Sequence, residues 1–209
     1  MDGIVDLTRS TPTHQAVNQW ILIVGLSIFL ISLTYKLKFV EKWDKQAFNY
    51  LNEQPEAITR IYQYLWPLGT TPVAAMAVMI MYLSSFRSGL ISSVIFILLL
   101  VIEKIIKINL NRKRPFEALS DYKPSQPLIP DDPSYPSGDA MRLIFIALSI
   151  AVVFNLPIHS LLIFFTLGLI LSFGRIVLGV HYPLDMVSGI GLGMIGSSLI
   201  SWALEFPIL

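Results

Sequence analysis

Apolar residues in this chain run in blocks rather than alternating. Ala16 to Tyr35 contains no charged residue, with Trp20 and Tyr35 near its ends. Crossing the hydrocarbon of a bilayer as a helix takes about 20 such residues, and aromatic residues favour the two interfaces. Thr70 to Phe86, Gly89 to Val101, Ala140 to Leu156, Leu161 to Phe173 and Leu184 to Leu204 repeat the pattern, the third of the six blocks continuing helically through Glu103, Lys104 and Lys107. The expected fold is all-α, an integral membrane six-helix bundle, with residues 1–209 forming a single domain.

Between the first two blocks the pattern changes. Phe39, Trp43, Phe48, Leu51, Ile58, Tyr62 and Leu65 recur at mostly helical intervals among charged residues, interrupted at Pro55. This predicts two interfacial amphipathic helices. From Asn111 to Pro136 there are prolines at 115, 124, 127, 130, 133 and 136, which exclude a continuous helix and predict a long loop outside the membrane. With six crossings, the Lys36–Leu65 segment, this loop and the Arg175–Asp185 connection share one face. Both termini and the Ser84–Ser88 and Asn155–His159 turns take the other.

Composition supports the membrane assignment and excludes other classes. Of the 209 residues, 54% are hydrophobic and 14% are charged, against roughly 25% charged in soluble domains. A formal net charge of +1 provides no field for nucleic acid. The absence of cysteine excludes disulfides, thiol nucleophiles and thiolate metal sites. The first fifteen residues have no basic region followed by a short apolar one, so no cleaved signal peptide is expected.

The shared face collects reactive residue types. Lys107, Arg112, Lys113 and Arg114 follow the third block, Ser137 and Gly138 open the fourth, and Arg175, His181 and Asp185 join the fifth to the sixth. Cations and the N–H groups of a helix start suit a phosphate, and they would stabilise the oxygens of a phosphoryl-transfer transition state. The His181 imidazole could attack phosphorus, with Asp185 one turn on holding its other ring nitrogen. Asp131 and Asp132 read as solvated loop residues, and Glu103 and Lys104 receive no role.

In order and spacing these residues resemble the type 2 phosphatidic acid phosphatase (PAP2) family. Its first motif is Lys, six residues, then Arg-Pro, matched by Lys107, Arg114 and Pro115. Its second is Pro-Ser-Gly-His, matched by Pro136, Ser137 and Gly138 but with Asp139 in place of histidine. Its third is Ser-Arg, five residues, His, three residues, Asp, matched by Arg175, His181 and Asp185 but with Gly174 in place of serine. The motif-bearing core covers about residues 69–204.

The resemblance implies a metal-independent lipid phosphatase with no cofactor, acting on a lipid phosphomonoester or diphosphate. It implies phosphate binding by Lys107, Arg114, Ser137, Gly138 and Arg175, a phosphohistidine at His181, and Asp185 as its orienting partner. Asp139 then stands where the family has its general acid. Either a protonated Asp139 serves, or the leaving group needs little protonation, as when a diphosphate releases a monophosphate. A phosphotransferase of the same fold and a non-catalytic lipid-binding protein remain as alternatives. The family's orientation puts the site on the exoplasmic or luminal face. The Lys/Arg distribution points the other way, with only Arg9 and Arg87 opposite the site.

Overall fold

The computed structural model describes residues 12–119 and 122–205, with side chains described from residue 16 onward. Residues 1–11, including Arg9 and most of the stretch read for a signal peptide, lie outside the described residues. Every regular element among the described residues is helical. In chain order these are α1 (Pro12–Ser32), α2 (Lys38–Asn52), α3 (Glu56–Leu65), α4 (Thr71–Ile80), α5 (Phe86–Leu110), the single turn α6 (Pro115–Ala118), α7 (Gly138–Val153), α8 (Ile158–Val177) and α9 (Pro183–Glu205).

Four stretches are long and apolar enough to cross a bilayer: Ala16–Lys36, Phe86–Ala118, Ile158–Val177 and Pro183–Glu205. Their outward faces carry Trp20, Leu30, Ile97, Leu98, Ile105, Leu162 and Ile170 in exposed positions, as a lipid-facing surface requires. The chain is thus an integral membrane protein. A fifth crossing exists if Glu56–Gly69 and Thr71–Leu83, bent by 59°, together form one. The span expected over Thr70–Phe86 is formed by the ten residues of α4 and a short 3-10 turn ending at Leu83, with the bend just before it. Pro67 and Pro72 lie at the bend, where proline removes helical hydrogen bonds. Helix α7 has 16 residues, about 24 Å at ~1.5 Å per residue, and is the buried centre of the bundle.

Helix α9 packs mainly on α7 and α1, and α7 also packs on α8. Small residues of α9, among them Ser188, Gly189 and Gly193, allow close helix approach in lipid. The core is Met141, Phe145, Phe96, Leu99, Leu192 and Ile200 on one side of α7. Ala140, Ile144, Leu148, Ile190 and Met194 form its other side. Pro55 separates α2 from α3 as expected. Both lie against the C-terminal end of α8, where Asn52 Nδ2 donates to the carbonyls of Ile176 and Val177 at 2.8 and 2.9 Å. The α2–α3 pair, the proline-rich loop and the α8–α9 connection therefore meet at one end of the bundle.

Candidate active site

Four local structures bring the site together. Helix α5 ends at Asn111, whose left-handed backbone (φ 42°) closes the last turn on the Lys107 carbonyl. The following residues turn away, so Arg114 points back into the bundle beside Lys107. Ser137 caps α7 by accepting from the Ala140 N–H, and its own N–H donates to the Asp185 carbonyl at 2.9 Å. The α8–α9 connection turns at Gly179 (φ +78°), a conformation that suits glycine. It is pinned by Ser125 N–H to Leu178 O (3.0 Å) and Val180 N–H to Arg175 O (3.1 Å). This connection presents His181.

His181 lies buried between Arg114 and Asp185. Arg114 Nη1 donates to the Val180 carbonyl at 2.8 Å and sits 3.4 Å from His181 Nε2. A guanidinium only donates, so Nε2 faces it with its lone pair. Nδ1 faces Asp185 Oδ2 at 3.7 Å, a separation longer than a hydrogen bond. Burial first, then the nearby Arg114 charge, push the imidazole down to about 4 against the opposing pull of Asp185. The ring is therefore neutral at pH 7, the form a nucleophile needs.

Asp185 is held from behind. Its Oδ1 takes Arg112 Nη1 at 2.6 Å, and its Oδ2 takes the Tyr182 N–H at 2.9 Å and the Ser134 hydroxyl. Arg112 reaches Asp44 Oδ2 at 2.6 Å on its other side and lies between the rings of Tyr35 and Tyr182, 4.4 and 4.3 Å from their centroids. Of the four basic residues read from sequence as one cluster, Lys107 and Arg114 face His181's cavity. Arg112 is a structural pin, and Lys113 is exposed and lines a different depression.

The cavity has a volume of about 390 Å³. Its polar lining includes Lys107, Arg114, Asp132, Asp139, Arg142 and His181. Leu100, Lys104 and Ile108, one face of α5, line it as well, together with Thr71. Ser137 is buried next to Gly138, which lines the cavity. Arg175 approaches from behind Asp139, with Nε 3.2 Å from Asp139 Oδ2. Nη1 of Arg175 donates to Gln126 Oε1 at 3.1 Å and Nη2 to the Trp66 carbonyl.

Three carboxylates neutralise these cations, and two of them were not expected here. Asp132, read as solvated, is half-exposed but paired: its Oδ1 takes Arg114 Nη2 at 2.6 Å and its Oδ2 takes Lys107. Burial opposes ionisation, but Lys107 and then Arg114 hold the carboxyl down at about 2. Glu103, given no role, lies buried between Lys107 Nζ and Arg142 Nη1, 3.0 Å from each. Its carboxylate fills the space beside Gly138, where a Cβ would come 1.9 Å from Oε1. Asp139 faces Arg142 Nη2 at 2.7 Å and Arg175.

Arg142 is the residue missed altogether. Its sequence signal was an arginine one turn from an aspartate inside an otherwise apolar helix, a placement that is costly without a purpose. His159 opens α8, sixteen residues before Arg175 and about 24 Å away along the helix at ~1.5 Å per residue.

Residues 88–206, more than half of the chain, match the model of the PAP2 superfamily. An undecaprenyl-diphosphatase of Sulfolobus acidocaldarius is 27% identical over 131 residues, 63% of this chain and 59% of the relative. The match thus spans less than two thirds of that relative's length. Among solved structures, a transmembrane PAP2-type phosphatidylglycerolphosphate phosphatase from Bacillus subtilis aligns with TM-score 0.70 at 19% identity, covering 88% of this chain and 93% of its own. LpxE from Aquifex aeolicus aligns with TM-score 0.62 at 24% identity, covering 73% and 90%. At these identities the two structures establish a shared fold.

Proposed function

The chain belongs to the PAP2 superfamily, and on that premise we propose that it is a membrane lipid phosphatase working through a phosphohistidine at His181. The observation that carries this reading is the orientation of one imidazole. Neutral, with its Nε2 lone pair toward Arg114 and Nδ1 toward Asp185, it faces a cavity that also holds Lys107.

The substrate's terminal phosphate binds Lys107 and Arg114, displacing Asp132, while the start of α7 at Gly138 lines the cavity and Ser137 and Arg175 support it from behind. Nε2 attacks phosphorus, the bond to the leaving oxygen breaks, and Asp185 steadies the imidazolium-like ring. Water then attacks the phosphohistidine, releasing inorganic phosphate and restoring the imidazole. No metal takes part. The similarity to an undecaprenyl-diphosphatase and to a phosphatidylglycerolphosphate phosphatase points to lipid phosphates and diphosphates. The apolar continuation past Leu100 and Ile108 would let a lipid tail remain in the bilayer. The site faces the exoplasmic or luminal side, and residues 1–209 act as one domain.

The test is phosphate release by the purified, detergent-solubilised protein with EDTA present, from a panel of lipid phosphates and diphosphates. Turnover that disappears in His181→Ala supports the reading. Turnover that survives this change, or that EDTA abolishes, contradicts it. Added lipid alcohol acceptors would reveal a phosphotransferase. The pairing of every cavity cation except Lys104 with a carboxylate favours a second reading, a lipid-phosphate binder without turnover. It predicts binding of the panel with no release.

A further inference from the structure

A phosphatase must do something about the group that leaves. In this cavity the acidic candidates are already committed. Asp139 accepts from Arg142 and contacts Arg175, Glu103 lies between Lys107 and Arg142, and Asp132 bridges Lys107 and Arg114. His181 is the sole histidine lining the cavity among the described residues. Each carboxylate touches two cations, which favours the charged, acceptor-only form. A lipid alkoxide leaving such a site would receive no proton from a carboxylic acid or imidazolium.

Two cations of the same cavity, Arg142 and Lys104, have no part in holding the terminal phosphate. Arg142 comes from the second turn of α7. It uses Nε on the Gly69 carbonyl at 2.7 Å, one Nη1 hydrogen on Glu103 at 3.0 Å and one Nη2 hydrogen on Asp139 at 2.7 Å. A guanidinium has five N–H donors, so one hydrogen on each terminal nitrogen remains for a ligand. Lys104 is exposed where it lines the cavity, one turn before Ile108 and one turn after Leu100. Beyond Lys107 the cavity offers Arg142 and Lys104, and its carboxylates there, Glu103 and Asp139, are each already paired with a cation.

We infer that Arg142, assisted by Lys104, stabilises a departing phosphate by charge instead of protonation, which makes the site selective for lipid diphosphates over lipid monophosphates. The inference rests on the phosphohistidine reading and narrows its substrate class. His181 Nε2 bonds to the terminal phosphorus, and the bond from that phosphorus to the bridging oxygen breaks. The electron pair stays on the bridging oxygen, so the lipid leaves as a phosphomonoester anion held by Arg142 and Lys104. Water then cleaves the N–P bond, giving inorganic phosphate, and its displaced proton passes to solvent. A phosphomonoester is a good leaving group without a proton and an alkoxide is not, and general acid catalysis is commonly worth 10²–10⁴-fold.

The experiment compares two lipids with the same tail, farnesyl diphosphate and farnesyl monophosphate, using the purified full chain in detergent with EDTA. The expected ratio of kcat/KM is about 100 or more in favour of the diphosphate. Arg142→Gln is expected to shrink this ratio about tenfold or more, with Arg142→Lys between the two. Arg142 is buried, so Asp139→His provides a second line that does not remove the arginine. It restores a possible proton donor and is expected to raise monophosphate turnover, moving the ratio toward one. Similar rates on the two lipids, equal losses on both in Arg142→Gln, or no rise in monophosphate turnover in Asp139→His overturn the inference while leaving the phosphatase reading intact. Release from neither lipid overturns both.

Discussion

Arg112 and Asp185 meet at 2.6 Å, through Nη1 and Oδ1, with the same guanidinium bound to Asp44 at 2.6 Å. One buried cation thus ties α2 to the first turn of α9 and fixes the carboxylate that faces His181. Two tyrosine rings sandwich it, geometry that a planar guanidinium fits and an ammonium does not.

Arg112→Ala leaves two buried carboxylates without their cation, a loss on the order of 3–5 kcal/mol. Arg112→Lys recovers part of it, because one ammonium cannot serve both carboxylates with the same geometry. Thermal unfolding in detergent should rank the proteins wild type, Lys, Ala. An unchanged midpoint in Arg112→Ala would show that the pin is dispensable.

Asp132 occupies the two cations that the substrate needs. Asp132→Asn removes the competing charge and should tighten inhibition by vanadate about three- to tenfold, the scale of ~1 kcal/mol for a half-exposed ion pair. Because the carboxyl sits at about 2, the gain should be the same across the working pH range. Weaker vanadate inhibition would mean that Asp132 instead holds its loop in place for the ligand.

Protonation of His181 should set an unusual acid limit. With its imidazole at about 4, against ~6.5 for a free histidine, the neutral form persists as pH falls through 6 and disappears only near 4. The rate of carbethoxylation at His181, followed by mass spectrometry, should therefore decline with a midpoint near 4. A midpoint near 6.5 would contradict the buried, arginine-flanked environment.

Much of this arrangement was legible in the chain, for reasons that particular residues make plain. Lys107, Arg114, Ser137, Gly138, Arg175, His181 and Asp185 end or begin long apolar helices. Helix ends at one side of a membrane bundle must meet. The break at Pro55 was legible because proline acts locally. What stayed hidden was long-range pairing. Arg112 with Asp44, Arg142 with Glu103 and Lys107 with Asp132 join segments with no shared period. Whether a loop aspartate is solvated depends on where the loop folds back.

Gly179 is the turn that aims His181. Its φ of +78° disfavours a side chain, and a Cβ there would come 1.9 Å from the Tyr122 hydroxyl. Gly179→Ala should cost about 1–3 kcal/mol of stability and lower turnover about tenfold or more by displacing the imidazole. Parallel unfolding and turnover measurements check both parts, and normal turnover would exclude a positioning role for this turn.

The central claim is a covalent phosphohistidine, and rapid-quench trapping tests it most directly. Lipid diphosphate labelled with ³²P in its terminal phosphate would be mixed with the protein in EDTA, quenched with alkali and mapped by mass spectrometry. The account predicts an acid-labile, alkali-stable adduct on His181 that is absent from His181→Ala. Label on another residue, or release of phosphate by His181→Ala at the wild-type rate, would contradict it.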